Sequence, residues 1–323
     1  MRMIAAGDVD HALDFEPLVE TLREAFRRGA IQPVRHHHAI ERPDGADVTL
    51  LLMPAWTDLA GAGTSEGGYA GVKIVTVAPD NNAVGKPAVM GQYLLLDAAT
   101  GEPRALIDGQ RLTLWRTACA SALAADFLAR KDASKLLVVG AGALAPFLAR
   151  AHSAMRPIRE IRIWNRTVAN AAKVAESLRG GGLNAEATDD LDGSTGWADI
   201  VSSATISAEP LVKGRLLSAG AHVDLVGGFT PDMREADDDA VRRARVFVDT
   251  RAGATREAGD IVQPLRTGVL KPDGVIADLH ELARGEKSGR QGEDEITLFK
   301  SVGAALEDLA AAIAVYEKTG GTA

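Results

Sequence analysis

The chain has 323 residues, with 36 Lys and Arg against 44 Asp and Glu and a formal net charge of −8, a balance that excludes the basic footprint of a nucleic-acid binder. Hydrophobic residues at 46% and charged residues at 25% exclude disorder, and the length can bury the cores of about two domains. A single cysteine, Cys119, excludes an internal disulfide; with an acidic N-terminus and no run near the ~20 apolar residues of a membrane helix, a cytoplasmic protein without a membrane partner is expected.

Residues 15–28 place Leu18, Leu22 and Phe26 on one helical face, and Gly29 takes the C-cap position. Strand-like segments follow at 47–53, 71–77, 91–97 and 102–108, the last two forming a hairpin around Ala98–Gly101. Residues 1–112 therefore read as an α+β module. Residues 114–129 are dense in helix formers, with Ala118, Ala122 and Ala125 on a slim face. From Lys135 onward, strands at 136–139, 161–164, 200–203, 222–226 and 246–249 alternate with helices over about 143–155 and 168–178. This is the pattern of βαβ units and a parallel sheet. A final apolar helix is expected over 302–316.

The sharpest local signal is LLVVGAGALAPF at 136–147, a strand followed by Gly140-Ala141-Gly142-Ala143-Leu144-Ala145 and a helix. Gly140 permits the tight turn, Gly142 lets the backbone approach a pyrophosphate, and Ala145 allows close helix–strand packing. The helix N-terminus offers N–H groups and a positive dipole end to phosphates. Pro146 falls in the first helical turn, where a missing N–H matters little. The next strand ends in Asn165-Arg166-Thr167, where an NAD site would carry an acidic residue for the ribose hydroxyls. A guanidinium can instead grip a 2′-phosphate, so NADP(H) is the expected cofactor, with NAD(H) as the alternative. Ser203 and Thr205 stand at the carboxyl end of a strand, where open parallel sheets bind ligands, and are expected to line the cofactor with Gly227. The His36-His37-His38 tract lacks spaced further ligands, and successive strand residues face opposite ways, so it reads as a polar loop or strand end and no metal is expected.

The chain resembles the ornithine cyclodeaminase/mu-crystallin family in Gly71-Val72-Lys73, Asp108-Gly109 with Leu112–Ser121, Gly140–Ala145, Trp164–Thr167, Gly220–Glu235, Ala258-Gly259-Asp260 and Phe299–Gly303, which span nearly the whole chain in family order. The resemblance implies an α/β fold: a Rossmann-type doubly wound NADP(H)-binding domain over 116–302 and an α+β substrate-binding and dimerisation domain over 1–115 with 303–323. It implies a homodimer and a small imino-acid substrate. It also implies that Arg35, Lys73 and Arg116 bind the substrate carboxylate, a chemically sensible set because a guanidinium fork holds a carboxylate while an ammonium orients or protonates the reacting nitrogen.

Cyclodeaminases of the family place a catalytic aspartate where this chain has Phe229, which can neither accept a proton nor polarise a nucleophile. The loop Gly228–Glu235 is similar to that of bacterial reductases of cyclic ketimines such as Δ1-pyrroline-2-carboxylate. The expected reaction is therefore hydride transfer to a C=N carbon beside a carboxylate, giving L-proline, or L-pipecolate from the piperideine homologue. Lys73, Arg116 and Asp224 are the expected catalytic residues, Asp224 as a proton relay or lysine partner, and Thr230 is an expected hydrogen-bond partner for substrate. The alternatives are a cyclodeaminase, an alanine or other amino-acid dehydrogenase, or a non-catalytic NADPH-binding protein. Aromatic residues at only 4% argue against a stacking platform for bases or sugars.

Overall fold

The computed structural model describes residues 1–59 and 68–321. The chain divides into two compact units, Met1–Arg116 with Ala304–Ala323, and Thr117–Gly303.

The first unit contains strands β1 (Arg2–Ile4), β2 (His36–Ile40), β3 (Val48–Trp56), β4 (Tyr69–Val77), β5 (Val89–Asp97) and β6 (Pro103–Asp108). It also holds helices α1 (Ala6–Ala12) and α2 (Phe15–Arg28), the start of α3 (Gly109–Leu128), and the C-terminal helix Ala305–Lys318. The six strands form one sheet in the order β1-β6-β5-β4-β3-β2, antiparallel except where β1 joins β6. The helix stripe read from the sequence is the buried face of α2, with Leu18, Val19, Leu22 and Phe26 inside. The β5–β6 hairpin is pinned by Asp97, whose Oδ1 accepts the backbone N–H groups of Ala99 and Thr100 at 2.9 and 2.8 Å. The histidine tract is an exposed edge strand rather than a loop, and His36 pairs with Leu52.

Side-chain alternation splits this sheet into two faces. One carries the buried Met53, Lys73, Val75, Tyr93 and Leu95, and the C-terminal helix packs against β3, β4 and β5. The other carries a cross-strand row of Pro54, Val72, Leu94 and Leu106, flanked by Leu52 and by Ile74 at 38% exposure. That second face is apolar and only partly covered.

The second unit continues α3 and alternates strands with helices. Its elements are β7 (Lys135–Val139), α4 (Ala145–Met155), β8 (Glu160–Trp164), α5 (Val168–Gly180), β9 (Ala185–Thr188), α6 (Leu191–Trp197), β10 (Ile200–Ser203), β11 (His222–Leu225), α7 (Asp238–Arg243), β12 (Ala244–Val248), α8 (Arg251–Glu257), α9 (Gly259–Thr267), β13 (Val275–Asp278), α10 (Leu279–Ala283) and β14 (Ile296–Lys300). All eight strands run parallel in the order β13-β12-β14-β11-β10-β7-β8-β9, a Rossmann-type sheet. Alternate residues feed cores on its two faces: Leu137, Val139 and Val201 on one, Leu136, Val138 and Ile163 on the other. Burial on both faces is why β7 reads as a continuous apolar run from Leu136 to Val139. The direction of strand addition reverses between β7 and β10, where open α/β sheets hold their ligands.

No helix among the described residues is long and apolar enough to cross a membrane.

Candidate functional site

Each unit carries one cluster of candidate residues. In the second unit they gather beyond the carboxyl ends of β7, β8, β10 and β11. Gly140 leaves β7 with φ of +110°, and a Cβ there would lie 2.6 Å from the Ala204 carbonyl oxygen, so the turn demands glycine. A Cβ on Gly142 would meet nothing within 4 Å, which leaves its backbone open to a phosphate at the start of α4. Ala141 and Leu144 are half-buried and Ala143 is exposed; Ala143 and Leu144 form a turn, so α4 begins at Ala145, two residues later than its periodicity suggests. After β8, Asn165 turns back to donate its Nδ2 to the Thr167 carbonyl at 3.0 Å, while Arg166 is exposed without a hydrogen bond or ion pair among the described residues. A glycine turn at the switch point, an open Gly142 and a helix N-terminus fit the pyrophosphate of a dinucleotide.

The loops after β10 and β11 are held from below by Glu235. Its Oε1 accepts Ser203 Oγ at 2.7 Å, Thr205 N at 2.8 Å and Thr205 Oγ1 at 3.0 Å, and its Oε2 accepts Gly227 N at 2.7 Å and Gly228 N at 3.1 Å. Lys300, at the end of β14, lies 3.5 Å from Oε2 and 3.1 Å from Asp260 Oδ2. Asp260 Oδ1 in turn accepts the Glu235 and Ala236 N–H groups. Burial disfavours the Lys300 ammonium, but Asp260 and Glu235 outweigh it and hold its pKa above the ordinary value. Burial, with Asp260 beside it, raises the pKa of Glu235 against the pull of Lys300. Ser203 was expected to touch the cofactor; its hydroxyl is buried and committed to Glu235, so it supports the loop instead. Thr205 and Gly227 are half-buried in the two loops, and Thr230 follows in the same β11 loop with its carbonyl accepting Met233 N and Gly259 N.

Asp224 departs from its expected place. It lies within β11, fully buried, with Oδ1 accepting Ser121 Oγ at 3.0 Å and Oδ2 accepting Ser202 Oγ at 2.6 Å beside His152 Nε2 at 3.3 Å. Burial opposes its charge, yet the His152 and Ser202 contacts keep its carboxyl below the usual range. Its hydrogen bonds join α3, α4 and β10 to β11, a structural network of the unit's core rather than a proton relay. Lys73 has its partner within its own unit.

That partner is Asp308, in the first turn of the C-terminal helix. Lys73, on the inner face of β4 and 2% exposed, has its Nζ 2.9 Å from Asp308 Oδ1 and 2.8 Å from Oδ2, with Thr113 Oγ1 at 3.5 Å. Arg116 on α3 donates Nε to the same Oδ1 at 3.0 Å and Nη1 to Glu307 Oε2 at 2.6 Å. Burial lowers the Lys73 pKa most, Arg116 and Arg35 add repulsion, and Asp308 opposes them, bringing it down to about 8. Arg35 is thus close enough to be felt by Lys73, and the three expected basic residues converge. They face two buried carboxylates, so the cluster keeps one net positive charge when Lys73 is protonated. Tyr93 of β5, paired with Lys73 across the sheet, lies over Gly71, where a Cβ would fall 2.3 Å from the phenol oxygen.

Glu307, Asp308 and Tyr93 in the first unit, and the roles of Glu235, Asp260 and Lys300 in the second, were not drawn from the sequence. One signal was available. Glu307-Asp308 lies between the apolar Leu306 and an unbroken apolar stretch from Leu309 to Val315, where adjacent acids ask for buried partners. No group of three or more His, Cys, Asp or Glu among the described residues could hold a metal ion.

The chain is 41% identical to Protein SAR DEFICIENT 4 of Arabidopsis thaliana over 97% of its length and 96% of that protein's. It is 35% identical to a Delta(1)-pyrroline-2-carboxylate reductase of Colwellia psychrerythraea, over 98% of this chain and 99% of the relative. Among solved structures it resembles the Thermococcus litoralis Delta(1)-pyrroline-2-carboxylate reductase in complex with NADH and L-proline, with a TM-score of 0.91, 33% identity, and coverage of 99% of this chain and 97% of that one. The profile of the ornithine cyclodeaminase/mu-crystallin family matches residues 2–323. With its two-unit fold, parallel dinucleotide-type sheet and basic cluster, the chain belongs to the ornithine cyclodeaminase/mu-crystallin family.

Proposed function

We propose that this protein is an NADPH-dependent reductase of cyclic ketimine carboxylates, converting Δ1-pyrroline-2-carboxylate to L-proline and the six-membered homologue to L-pipecolate. The observation that carries this reading is the buried cluster in which Lys73 and Arg116 share the Asp308 carboxylate, with the Lys73 pKa brought to about 8. Such an ammonium is charged at neutral pH yet gives up its proton more readily than an ordinary lysine, the property asked of a general acid. The Colwellia and Thermococcus proteins, which bear the reductase name, support the same chemistry.

The first unit supplies recognition and the proton. Arg116 and Arg35 take the substrate carboxylate, and the one net positive charge of the cluster suits a single carboxylate. Lys73 holds a proton on Nζ for the imine nitrogen, and protonating that nitrogen makes the adjacent carbon electron-poor. Thr230, in the second unit, is assigned a hydrogen bond to substrate. The second unit holds the cofactor: Gly140–Leu144 around the pyrophosphate, Asn165, Arg166 and Thr167 at the ribose, and Thr205 and Gly227 on loops that Glu235 keeps in place. A nicotinamide dinucleotide bound there supplies the hydride. Phe229 leaves no carboxylate at its position to activate water or an amine, so the reaction ends at reduction. The preference for NADPH rests on Arg166, exposed after β8 with no acidic residue at 165–167 to repel a 2′-phosphate. We also assign the protein to the cytoplasm as a homodimer, with the partly covered apolar face of the first-unit sheet as the dimer surface.

The test is to follow NADPH and NADH absorbance with five- and six-membered cyclic imines, with linear imines, and with keto acids plus free ammonia. Oxidation of NADPH by the cyclic imines without ammonia is expected. Turnover only with ammonia makes the protein an amino-acid dehydrogenase, release of ammonia and proline from ornithine makes it a cyclodeaminase, and no turnover at all ends the enzymatic reading.

A further inference from the structure

Lys73 alone would be a poor proton donor in this setting. Its Nζ is buried, and an ammonium without a counter-charge is strongly disfavoured away from water. The groups that face it come from every neighbouring element: Thr113 and Arg116 from α3, Tyr93 from β5, Arg35 from the segment before β2, and Asp308 from the C-terminal helix, where the adjacent Glu307 is held by Arg116. Two of these are guanidiniums that repel its charge. Among the described residues, Asp308 is the carboxylate within ion-pair distance of Nζ, and Arg116 shares its Oδ1.

We propose that Asp308 is the positioning residue for the transferred proton: its carboxylate keeps Lys73 in the ammonium form and aimed into the cluster, while Arg116 on the shared oxygen keeps that hold loose enough for the proton to leave. The proposal rests on the imine-reductase reading. The imine nitrogen takes the Lys73 proton on its lone pair, and as hydride reaches the imine carbon the C=N π pair becomes the lone pair of the product amine. The substrate carbon is reduced, the dinucleotide is oxidised, and Lys73 is left as a neutral amine beside an ionised Asp308 until solvent returns a proton. Without Asp308, burial and the two guanidiniums act unopposed. Lys73 then becomes a neutral amine at lower pH, with no proton to give.

The experiment is the pH dependence of kcat/KM for the cyclic imine in Asp308→Asn, the quantity that reports groups of the free enzyme. In the wild type, kcat/KM is expected to fall as pH rises through about 8. In Asp308→Asn this limb is expected to move toward acid by at least ~1 pH unit, the usual effect of losing an opposite charge at this distance. The loss of activity is expected to be concentrated on the alkaline side, and NADPH affinity measured by fluorescence titration is unchanged. Asp308→Glu, which keeps the charge and shifts its place, is expected to hold the limb near its wild-type position while kcat drops. A limb that stays put in Asp308→Asn, with kcat/KM lowered equally at every pH, overturns the proposal, as does an Asp308→Glu enzyme with wild-type kcat. A wild-type enzyme inactive on every imine removes the functional reading itself, an outcome distinct from either.

Discussion

Gly227 lies so close to Thr205 that a Cβ added to the glycine would fall 2.0 Å from the threonine carbonyl oxygen. The loops after β10 and β11 therefore touch backbone to backbone. Gly227→Ala must push them apart, and both are assigned to the cofactor. Misplacement of reacting groups on the ångström scale is worth on the order of 100-fold in rate, so kcat/KM for NADPH should fall by about that factor. Fluorescence titration should report weaker binding of the dinucleotide, and retained affinity would separate this contact from the cofactor site.

Glu235 is a matter of stability as well as shape. Glu235→Ala removes the acceptor of five hydrogen bonds and leaves Lys300 with Asp260 alone. Breaking a buried ion pair by removing one partner is destabilising by ~3–5 kcal/mol, and urea unfolding should show a loss of that order. Glu235→Gln keeps an acceptor oxygen and should lose less.

Lys73 links pH to stability with a definite sign. Its folded pKa of about 8 lies below the 10.5 of an ordinary lysine, so between those values the unfolded chain binds more protons. Stability contributed by this residue should rise across that window, by about 3 kcal/mol if it titrates alone. Activity should fall over the same range, because the neutral amine carries no proton. Lys73→Met should abolish this rise in stability, as followed by urea midpoints at both ends of the window. Its reduction rate should be at least ~100-fold lower than the wild-type rate.

Arg166 separates the two cofactors. A charge-assisted hydrogen bond is worth ~1.5–3 kcal/mol, so Arg166→Ala should raise the KM for NADPH by about tenfold or more and leave that for NADH unchanged. Equal effects on both would place Arg166 away from the 2′-phosphate.

The outer face of the first-unit sheet should carry the dimer. Ile74→Asp puts a charge into its apolar row without touching the buried face. Light scattering after gel filtration should then show a monomer where the wild type gives a dimer. An unchanged mass would place the interface elsewhere.

What could be read from the sequence follows physical lines. Helix α2 was legible because Leu18, Leu22 and Phe26 fall on one stripe, and β7 because Leu136 to Val139 is a short apolar run before a glycine turn. Strand β14 was not, although it lies between β11 and β12, because it ends on Lys300, and a lysine reads as solvent-facing until its buried partners are known. The cations Lys73 and Arg116 stood out against apolar and glycine-bounded neighbours. Their counter-charges did not, because acids in the first turn of a helix are what the helix dipole favours on any surface helix. Asp224 misled for the converse reason: a carboxylate on a strand near a glycine loop is seen in sequence, while the serines and histidine that absorb it come from distant segments.

The packing of Tyr93 over Gly71 also governs how β4 and β5 assemble. Pairing them one residue out of step would turn every side chain of β4 to the opposite face, putting Lys73 among Pro54, Leu94 and Leu106 and Ile74 inside beside two carboxylates. The phenol occupies the space a side chain would fill, and within β4 the position without one is Gly71. The glycine thus acts as a key to strand alignment during folding, ensuring that the one lysine of the strand ends up among the acids.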